Sequence, residues 1–154
     1  MKRTRLCALL ALCLTCAVPS IAQEKGLWRA ANKAAKSVTG DIGFSATKIG
    51  INFSTFTIAN IRSLTPAELA AAFDADANAS SSAAGTLYRL DIPSTKKFLH
   101  GHTICGAEDT QWIATYVNGR SLQLLFFSSS HMPVFTLDAI SNSDNLCGLY
   151  TYTR

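Results

Sequence analysis

Three histidines carry the most versatile side-chain chemistry in this sequence, because an imidazole can bind a metal ion or move a proton near neutral pH. They are His100, His102 and His131. His100 and His102 are two positions apart, so they lie on the same side of the chain if this stretch is a β-strand. With His131, Glu108 or Asp109 they could bind zinc or copper. Such spacing is also common on solvated strands, so we predict no bound metal and no cofactor. A metal-binding or hydrolytic site at the histidines is kept as an alternative.

The sequence contains none of the familiar catalytic motifs. There is no G-x-S-x-G nucleophile elbow, no glycine-rich phosphate loop and no G-x-G-x-x-G. Ser128–Ser130 precede His131, but a catalytic serine also needs a third group that orients the imidazole, and the sequence specifies none. We therefore predict that the protein is not an enzyme and has no catalytic residues.

The first 22 residues have the composition of a secretory signal. A positively charged start is followed by the apolar stretch Leu6–Val18, which is too short to span a bilayer, and then by the small-x-small sequence Ser20–Ala22. We predict cleavage before Gln23 and an exported mature protein, either periplasmic or secreted.

Removal of the signal changes the charge of the protein. The full chain has 14 Lys and Arg against 10 Asp and Glu. The signal contains three of the basic residues and no acidic one, so 11 basic and 10 acidic residues remain, a net charge of +1. A nearly neutral protein has no general electrostatic attraction for polyanions, so we expect no nucleic-acid partner.

Two cysteines remain after the signal, Cys105 and Cys147. In an oxidising compartment two cysteines most simply form one disulfide. They are 42 residues apart and no C-x-x-C occurs, so a structural crosslink is favoured over a thiol redox site.

The stretch Gln111–Phe127 carries the strongest hairpin signal. Asn118-Gly119 lies between two alternating runs, and these residues tolerate the positive φ that a type I′ turn needs at both positions. A two-residue loop at this point pairs Val117 with Arg120. The face that carries Val117 is mostly apolar and should lie on the core. The C-terminal run Leu146–Thr153 is rich in aromatic and β-branched residues and is predicted to join the sheet.

Four aromatic residues on these strands are candidates for a binding surface: Trp112, Tyr116, Tyr150 and Tyr152. Trp and Tyr are enriched where a protein surface binds a partner, because they offer a large contact area at a low cost in conformational entropy. The alternative is that these side chains simply cover the sheet.

Two helices are predicted. Thr65, Pro66 and Glu68 form a capping box with proline at the first helical position, which predicts a helix over Pro66–Phe73. Glu24–Val38 is alanine-rich, with apolar residues at helical spacing and a basic remainder. It predicts an N-terminal helix, which in one interpretation lies on an anionic membrane surface.

Further strands are predicted from alternation and β-rich composition. Asp41–Arg62 reads as one long strand or as two strands bent near Ser54–Thr55. The remaining strand predictions are Thr86–Ile92, Phe98–Cys105 and Pro133–Ile140. The small residues of Asp74–Gly85 predict a flexible loop.

Together these patterns predict an α+β fold. It consists of a small, mostly antiparallel β-sheet of about five to seven strands with one short capped helix, an N-terminal helix and one disulfide. We expect a signal peptide at 1–22, an N-terminal helical segment at 23–40 and a single α+β domain at 41–154.

The expected function is that of a small exported non-enzymatic binding protein, with an inhibitor, immunity-type or adaptor role in the cell envelope. Its expected partner is another envelope or secreted protein. The alternatives are a metal-binding or hydrolytic envelope enzyme that uses the histidines, and a peripheral membrane-surface protein that uses the N-terminal basic helix.

Overall fold

The computed structural model describes residues 24–76 and 83–154. The predicted signal peptide and the centre of the predicted loop Asp74–Gly85 lie outside these residues. The described chain forms the strands β1 (Gly26–Ala30), β2 (Ile42–Phe44), β3 (Lys48–Ile51), β4 (Ser54–Thr57), β5 (Ala59–Ser63), β6 (Thr86–Ile92), β7 (Thr110–Asn118), β8 (Ser121–Phe127) and β9 (Leu146–Thr153). The helices are α1 (Pro66–Phe73) and α2 (Leu137–Ser141), with a π-helical turn at Ala35–Thr39 and a 3-10 turn at Leu99–Gly101.

All nine strands belong to one antiparallel sheet in the order β4-β3-β2-β1-β9-β8-β7-β6-β5. The prediction of a mostly antiparallel sheet with few helices and one disulfide is confirmed, but five to seven strands was too few. The additional strands are β1, which replaces part of the predicted N-terminal helix, and those of residues 41–63, which form β2, β3, β4 and β5 instead of one or two strands. β2 has only three residues, and β3 and β4 have four each. The alternating sequence pattern continues through the turns between these short strands, so the pattern does not show where one strand ends and the next begins.

The two edge strands of this sheet meet. β4 and β5 stand at opposite ends of the strand order, yet only Ile58 separates them in the chain. Successive Cα atoms are 3.8 Å apart, so Thr57 and Ala59 lie within about 7.6 Å of each other. β4 also contacts β6. The sheet therefore curls into a barrel in which neighbours in sequence are neighbours in space and β9 returns to β1.

Apolar side chains fill the barrel. Inward-facing positions alternate with outward-facing ones along each strand, as closure requires. The fully buried interior residues include Trp28, Ile42, Ile49, Ile51, Ile113, Leu122, Leu124, Phe126 and Tyr152. Burial of this apolar surface is the main favourable term in folding.

Helix α1 covers part of the outer wall of the barrel and confirms the predicted helix. The Thr65 side chain accepts a hydrogen bond from the Glu68 backbone at 3.3 Å, and the Glu68 carboxylate accepts one from the Thr65 backbone at 2.8 Å. Leu69 and Phe73 are buried, and the Phe73 ring stacks on Tyr116 with centroids 5.5 Å apart. The capping box thus starts a helix whose apolar side packs on the outer face of β7.

The segment between β8 and β9 covers the adjoining part of the wall. The strand predicted over Pro133–Ile140 is wrong: Thr136 caps the short helix α2 by accepting a hydrogen bond from the Ala139 backbone at 3.2 Å. Phe135 is buried and meets Phe127 edge-on, with ring centroids 5.8 Å apart. The strand predicted over Phe98–Cys105 is wrong as well, because this stretch forms the 3-10 turn.

The N-terminal helix predicted over Glu24–Val38 is not formed. Gly26–Ala30 is strand β1, and helical structure is limited to residues 33–39, which include the π-helical turn. β1 pairs with β2 and β9, and Trp28 enters the barrel interior. These contacts override the helix propensity of the alanines. The membrane-surface interpretation therefore lacks the helix on which it depended.

β7 and β8 form the predicted hairpin, but with a different register. Val117 pairs with Leu122 rather than with Arg120, and the loop residues are Gly119 and Arg120 instead of Asn118-Gly119. Gly119 has a φ of 58°, and positive φ at the first loop position alone is the pattern of a type II′ turn. The pairing moves by two residues, which leaves every side chain on its predicted face.

Candidate functional site

The outer face of β1, β2, β3 and β4 is open. The strand register places one residue from each strand in a single outward-facing row: Leu27, Gly43, Gly50 and Thr55. Leu27 keeps 83% of its surface exposed. The row thus has an exposed leucine at one end and bare backbone in its middle.

A groove follows this row and extends along the strands. Its upper part has a volume of about 490 Å³ and reaches Asp41, Phe53 and Leu99. Its lower part has a volume of about 370 Å³ and reaches Ser45 and Lys48. Both parts share the floor residues Leu27, Gly43, Gly50 and Thr55, so they form one continuous groove, called here the β1–β4 groove.

Phe53 stands at the rim of the β1–β4 groove in an unusual conformation. Ile51 pairs with Ser54, so Asn52 and Phe53 form a two-residue hairpin loop. Their φ angles are 45° and 63°, the pattern of a type I′ turn, in which the second position strongly favours glycine. The Phe53 side chain is fully exposed. A bulky residue therefore occupies a left-handed position with its ring in solvent.

The two glycines in the groove floor are not required by the backbone. Neither Gly43 nor Gly50 has a positive φ. A Cβ built on Gly50 would meet its nearest atom at 3.9 Å, and one built on Gly43 would meet the Leu27 side chain at 3.4 Å. Either position could accept a side chain without strain. A glycine in a strand interior marks a bulge, a tight bend of a barrel, or a place where a ligand or another backbone approaches closely. The strand register at Gly43 and Gly50 shows no bulge.

The ends of the β1–β4 groove differ in charge. Lys48 lines the lower end, whereas the Arg154 guanidinium does not line the groove and lies 4.3 Å from the centroid of the buried Trp28 ring. Asp41 lines the upper end, where its carboxylate accepts a hydrogen bond from the Ala30 backbone at 2.9 Å. The groove is therefore cationic at its lower end and carries a carboxylate at its upper end.

A buried polar cluster lies inside the barrel, around Glu24. This residue is only 6% exposed, and its carboxylate accepts hydrogen bonds from the Tyr88 and Thr115 hydroxyls. Its backbone oxygen accepts a hydrogen bond from the Trp28 indole at 2.8 Å. Burial, and then the bond to Glu24, raise the pKa of the Tyr88 phenol, which keeps its proton. The cluster is closed to solvent, and it fastens the segment before β1 inside the barrel.

The structure does not bring the three histidines together into one group that could hold a metal ion. His100 lies in the 3-10 turn with a φ of 55°, and its ring centroid is 6.4 Å from that of His102. No strand forms there, so the two-residue spacing does not align them on one face. His131 lies in the loop after β8, with its ring beside the Ser130 hydroxyl at 3.3 Å. Nowhere in residues 24–76 and 83–154 do three or more His, Cys, Asp or Glu form a group that could hold a metal ion.

The four aromatic candidates are in the core, so the aromatic surface expected from the sequence is not present. Tyr150 and Tyr152 point into the barrel, where Tyr152 shares a 2.6 Å hydrogen bond with Thr39. Trp112 and Tyr116 lie on the outer face of β7, under the covering segments. The exposed fractions are 8% or less for all four side chains. The sequence identified their strands correctly, and both faces of these strands are covered.

Cys105 and Cys147 form the predicted disulfide, with their Cα atoms 4.9 Å apart. It joins the loop before β7 to the start of β9. Neither cysteine lines the β1–β4 groove. A disulfide of this kind is typical of proteins that fold outside the cytoplasm.

Sequence reasoning missed the β1–β4 groove because its residues were assigned to the wrong elements. The sequence pattern predicts Leu27 on a helix face, and it predicts Gly43, Gly50 and Phe53 in one long strand or in two strands bent near Ser54–Thr55. Asn52 was the available signal, since Asn tolerates positive φ and is frequent in turns. The phenylalanine that follows it, where glycine is expected, concealed the hairpin.

Among the residues that the structure describes, no helix has the length and apolar character needed to cross a bilayer. Comparison of the chain with protein-family models, with curated proteins and with solved structures finds no match.

Proposed function

We propose that this protein is a small exported non-enzymatic binding protein, and that the β1–β4 groove is its partner-binding site. The partner is another periplasmic or secreted protein, toward which this chain acts as an inhibitor, immunity-type protein or adaptor. The observation that carries the proposal is the complete exposure of Phe53, in a left-handed conformation, at the rim of an open groove.

Phe53 costs the folded protein stability without a compensating contact. A left-handed conformation costs a residue other than glycine about 1–2 kcal/mol. The exposed ring gains nothing from burial in the free protein. Strained residues of this kind cluster at binding and active sites, and buried aromatic anchors dominate many protein interfaces. These considerations support Phe53 as the central anchor, with Leu27 as a second apolar contact across the groove.

Export is supported by two independent features. The first 22 residues have the composition of a secretory signal. The Cys105–Cys147 disulfide suits an oxidising compartment. Both features favour a partner that is met in the periplasm or outside the cell.

The Phe53→Gly variant tests the proposal, because it should separate stability from binding. Glycine relieves the left-handed strain but is more flexible when unfolded, so we expect the free energy of unfolding to rise by roughly 0.5–1 kcal/mol. Loss of the anchor should weaken binding by about 2 kcal/mol, roughly 30-fold. The partner is captured from envelope and secreted fractions on the immobilised wild-type protein and then purified. Titration calorimetry gives the affinity, and urea denaturation gives the stability.

Val134→Ala is the matched control, because Val134 is also an exposed apolar residue but lies in the segment between β8 and α2. It should leave both affinity and stability close to wild type. A purified partner that binds the Phe53→Gly variant as tightly as wild type would contradict the groove as the site. If the immobilised wild-type protein captures only proteins that the Phe53→Gly variant also captures, the proposed binding function is contradicted.

A further inference from the structure

The glycines of the groove floor indicate what kind of ligand comes close. Glycine weakens a strand interior, and neither Gly43 nor Gly50 is needed for its conformation. Both face outward in the row that begins with the exposed Leu27. The two residues pair with each other, so they leave a patch without side chains across two neighbouring strands. This patch is wide enough to seat one apolar side chain of a ligand directly on the backbone.

The size of the face favours a short segment over a second globular surface. Neighbouring strands are about 4.8 Å apart and residues rise about 3.3 Å, so β1–β4 offer a face about 15 Å by 13 Å. This is roughly 200 Å², far below the roughly 800 Å² per partner that a stable globular complex buries. An extended peptide segment that lies along the groove fits this area.

The charges along the groove then define the chemistry of that segment. Gly50 and Lys48 face outward from the same strand, two residues apart, so their positions are separated by about 6.6 Å. An extended ligand that lies along β3 presents its own side chains on one face with the same spacing. When one side chain covers Gly50, the side chain two residues away reaches Lys48. A carboxylate at that position would complement the Lys48 ammonium.

We infer that the β1–β4 groove binds an extended acidic segment of a partner protein, in which an apolar side chain and a carboxylate are two residues apart. The apolar side chain sits on Gly43 and Gly50 between Leu27 and Phe53, and the carboxylate meets Lys48. This inference rests on the proposed binding function, whose site it specifies further.

A random-peptide display library, selected on the folded oxidised protein, tests this inference without assuming a sequence. We expect enriched peptides to share an apolar residue and an Asp or Glu at positions i and i+2. Their affinity should fall as ionic strength rises. Gly50→Val fills the floor and should weaken these peptides at least tenfold, while the midpoint of urea unfolding stays the same or rises. Lys48→Glu should weaken them about tenfold, whereas the matched charge reversal Lys33→Glu, outside the groove lining, should leave affinity within about twofold.

Each outcome separates the inference from the proposed function. Peptides that require Phe53 and Gly50 but carry no acidic residue would overturn the acidic segment and leave the binding site standing. Peptides that bind the Phe53→Gly and Gly50→Val variants as well as wild type would overturn both. Failure to enrich any peptide, with Phe53-dependent binding to vesicles of phosphatidylserine and phosphatidylcholine instead, would replace the peptide with a membrane surface and overturn the inference.

Discussion

Glu24 is an acidic side chain inside an apolar barrel, and its hydrogen-bond partners explain how it is accommodated. The carboxylate receives hydrogen bonds from Tyr88 and Thr115, while Trp28 bonds the backbone of the same residue. A buried acid is tolerated when hydrogen-bond donors replace water around it. Each of these donors comes from a different strand, β6, β7 or β1, so Glu24 ties together strands that are distant in sequence.

Removal of the Glu24 carboxylate should lower the free energy of unfolding. In a Glu24→Ala variant the Tyr88 and Thr115 hydroxyls lose a partner in a buried site, which costs about 1–3 kcal/mol for each unsatisfied group. Because both hydroxyls can find partial replacements, we expect a total loss of about 2–3 kcal/mol in the free energy of unfolding. Urea denaturation of the variant measures the loss.

Lys25→Ala is the control for the Glu24 prediction, since Lys25 is the exposed neighbour of Glu24. Its effect should stay within about 0.5 kcal/mol. A Glu24→Ala loss as small as that of Lys25→Ala would mean that the hydroxyls are satisfied by other groups.

At the scale of elements, α1 is held on the barrel by its capping box and by the long side chain of Arg62. The Arg62 guanidinium, on β5, donates to both oxygens of the Glu68 carboxylate at 2.7 and 2.8 Å. The same carboxylate closes the capping box on Thr65. Glu68 therefore holds the start of α1 both to its own cap and to the neighbouring strand.

This arrangement predicts an acid-sensitive stability. The hydrogen bonds from Arg62, only partly offset by desolvation, lower the pKa of Glu68 from about 4.5 to about 2. A carboxyl with a lowered pKa in the folded state stabilises the protein above its unfolded pKa, and this stabilisation is lost as pH falls from about 4.5 toward 2. Arg62 is 34% exposed, so solvent screening reduces the effect, and we expect a loss of about 1–2 kcal/mol.

Urea denaturation between pH 2 and pH 6 measures this dependence in wild type and in Glu68→Gln, which has no carboxyl to protonate. The wild-type curve should fall toward that of the variant as the pH is lowered. Glu108→Gln, on an exposed loop, serves as a control and should keep the wild-type slope. Parallel curves for wild type and Glu68→Gln would show that protonation of Glu68 does not contribute to the loss of stability at low pH.

The elements that the sequence predicted well are those whose signals are local. The capping box of α1 lies within four residues, and β6 and β9 were predicted with the bounds that the structure has. β1 failed because its five residues lie in an alanine-rich stretch, and what makes them a strand is pairing with β2 and with the distant β9. The groove was missed for the same reason, since a row built from four strands appears only when the register is known.

At the scale of the whole molecule, barrel closure depends on a contact that no local pattern encodes. Ile58 alone joins the two edges of the sheet, and it is 2% exposed. The other closing contact pairs β1 with β9, which brings Arg29 beside Thr153. β4 and β5 are the two ends of the hydrogen-bonded strand order, so closure brings these ends together through Ile58 without a strand pairing between them. The outer face of β1–β4 remains open and is the proposed binding surface.

The disulfide offers a test of whether stability and binding are separate in this molecule. Cys105 and Cys147 enclose 42 residues, and the chain-entropy model assigns about 4 kcal/mol to a loop of that size. A Cys105→Ser/Cys147→Ser variant should therefore lose about 4 kcal/mol in the free energy of unfolding, measured by urea denaturation.

Neither cysteine lines the β1–β4 groove, so the folded fraction of this variant should keep its affinity for peptides selected on wild type. Titration in the absence of denaturant, corrected for the folded fraction, measures this affinity. Because the titration is corrected for unfolded protein, unfolding cannot account for any remaining loss of affinity. A large remaining loss would therefore show that the disulfide affects the shape of the groove. Retained affinity in a less stable protein would instead locate binding in the β1–β4 wall itself, where Phe53 and the paired glycines lie.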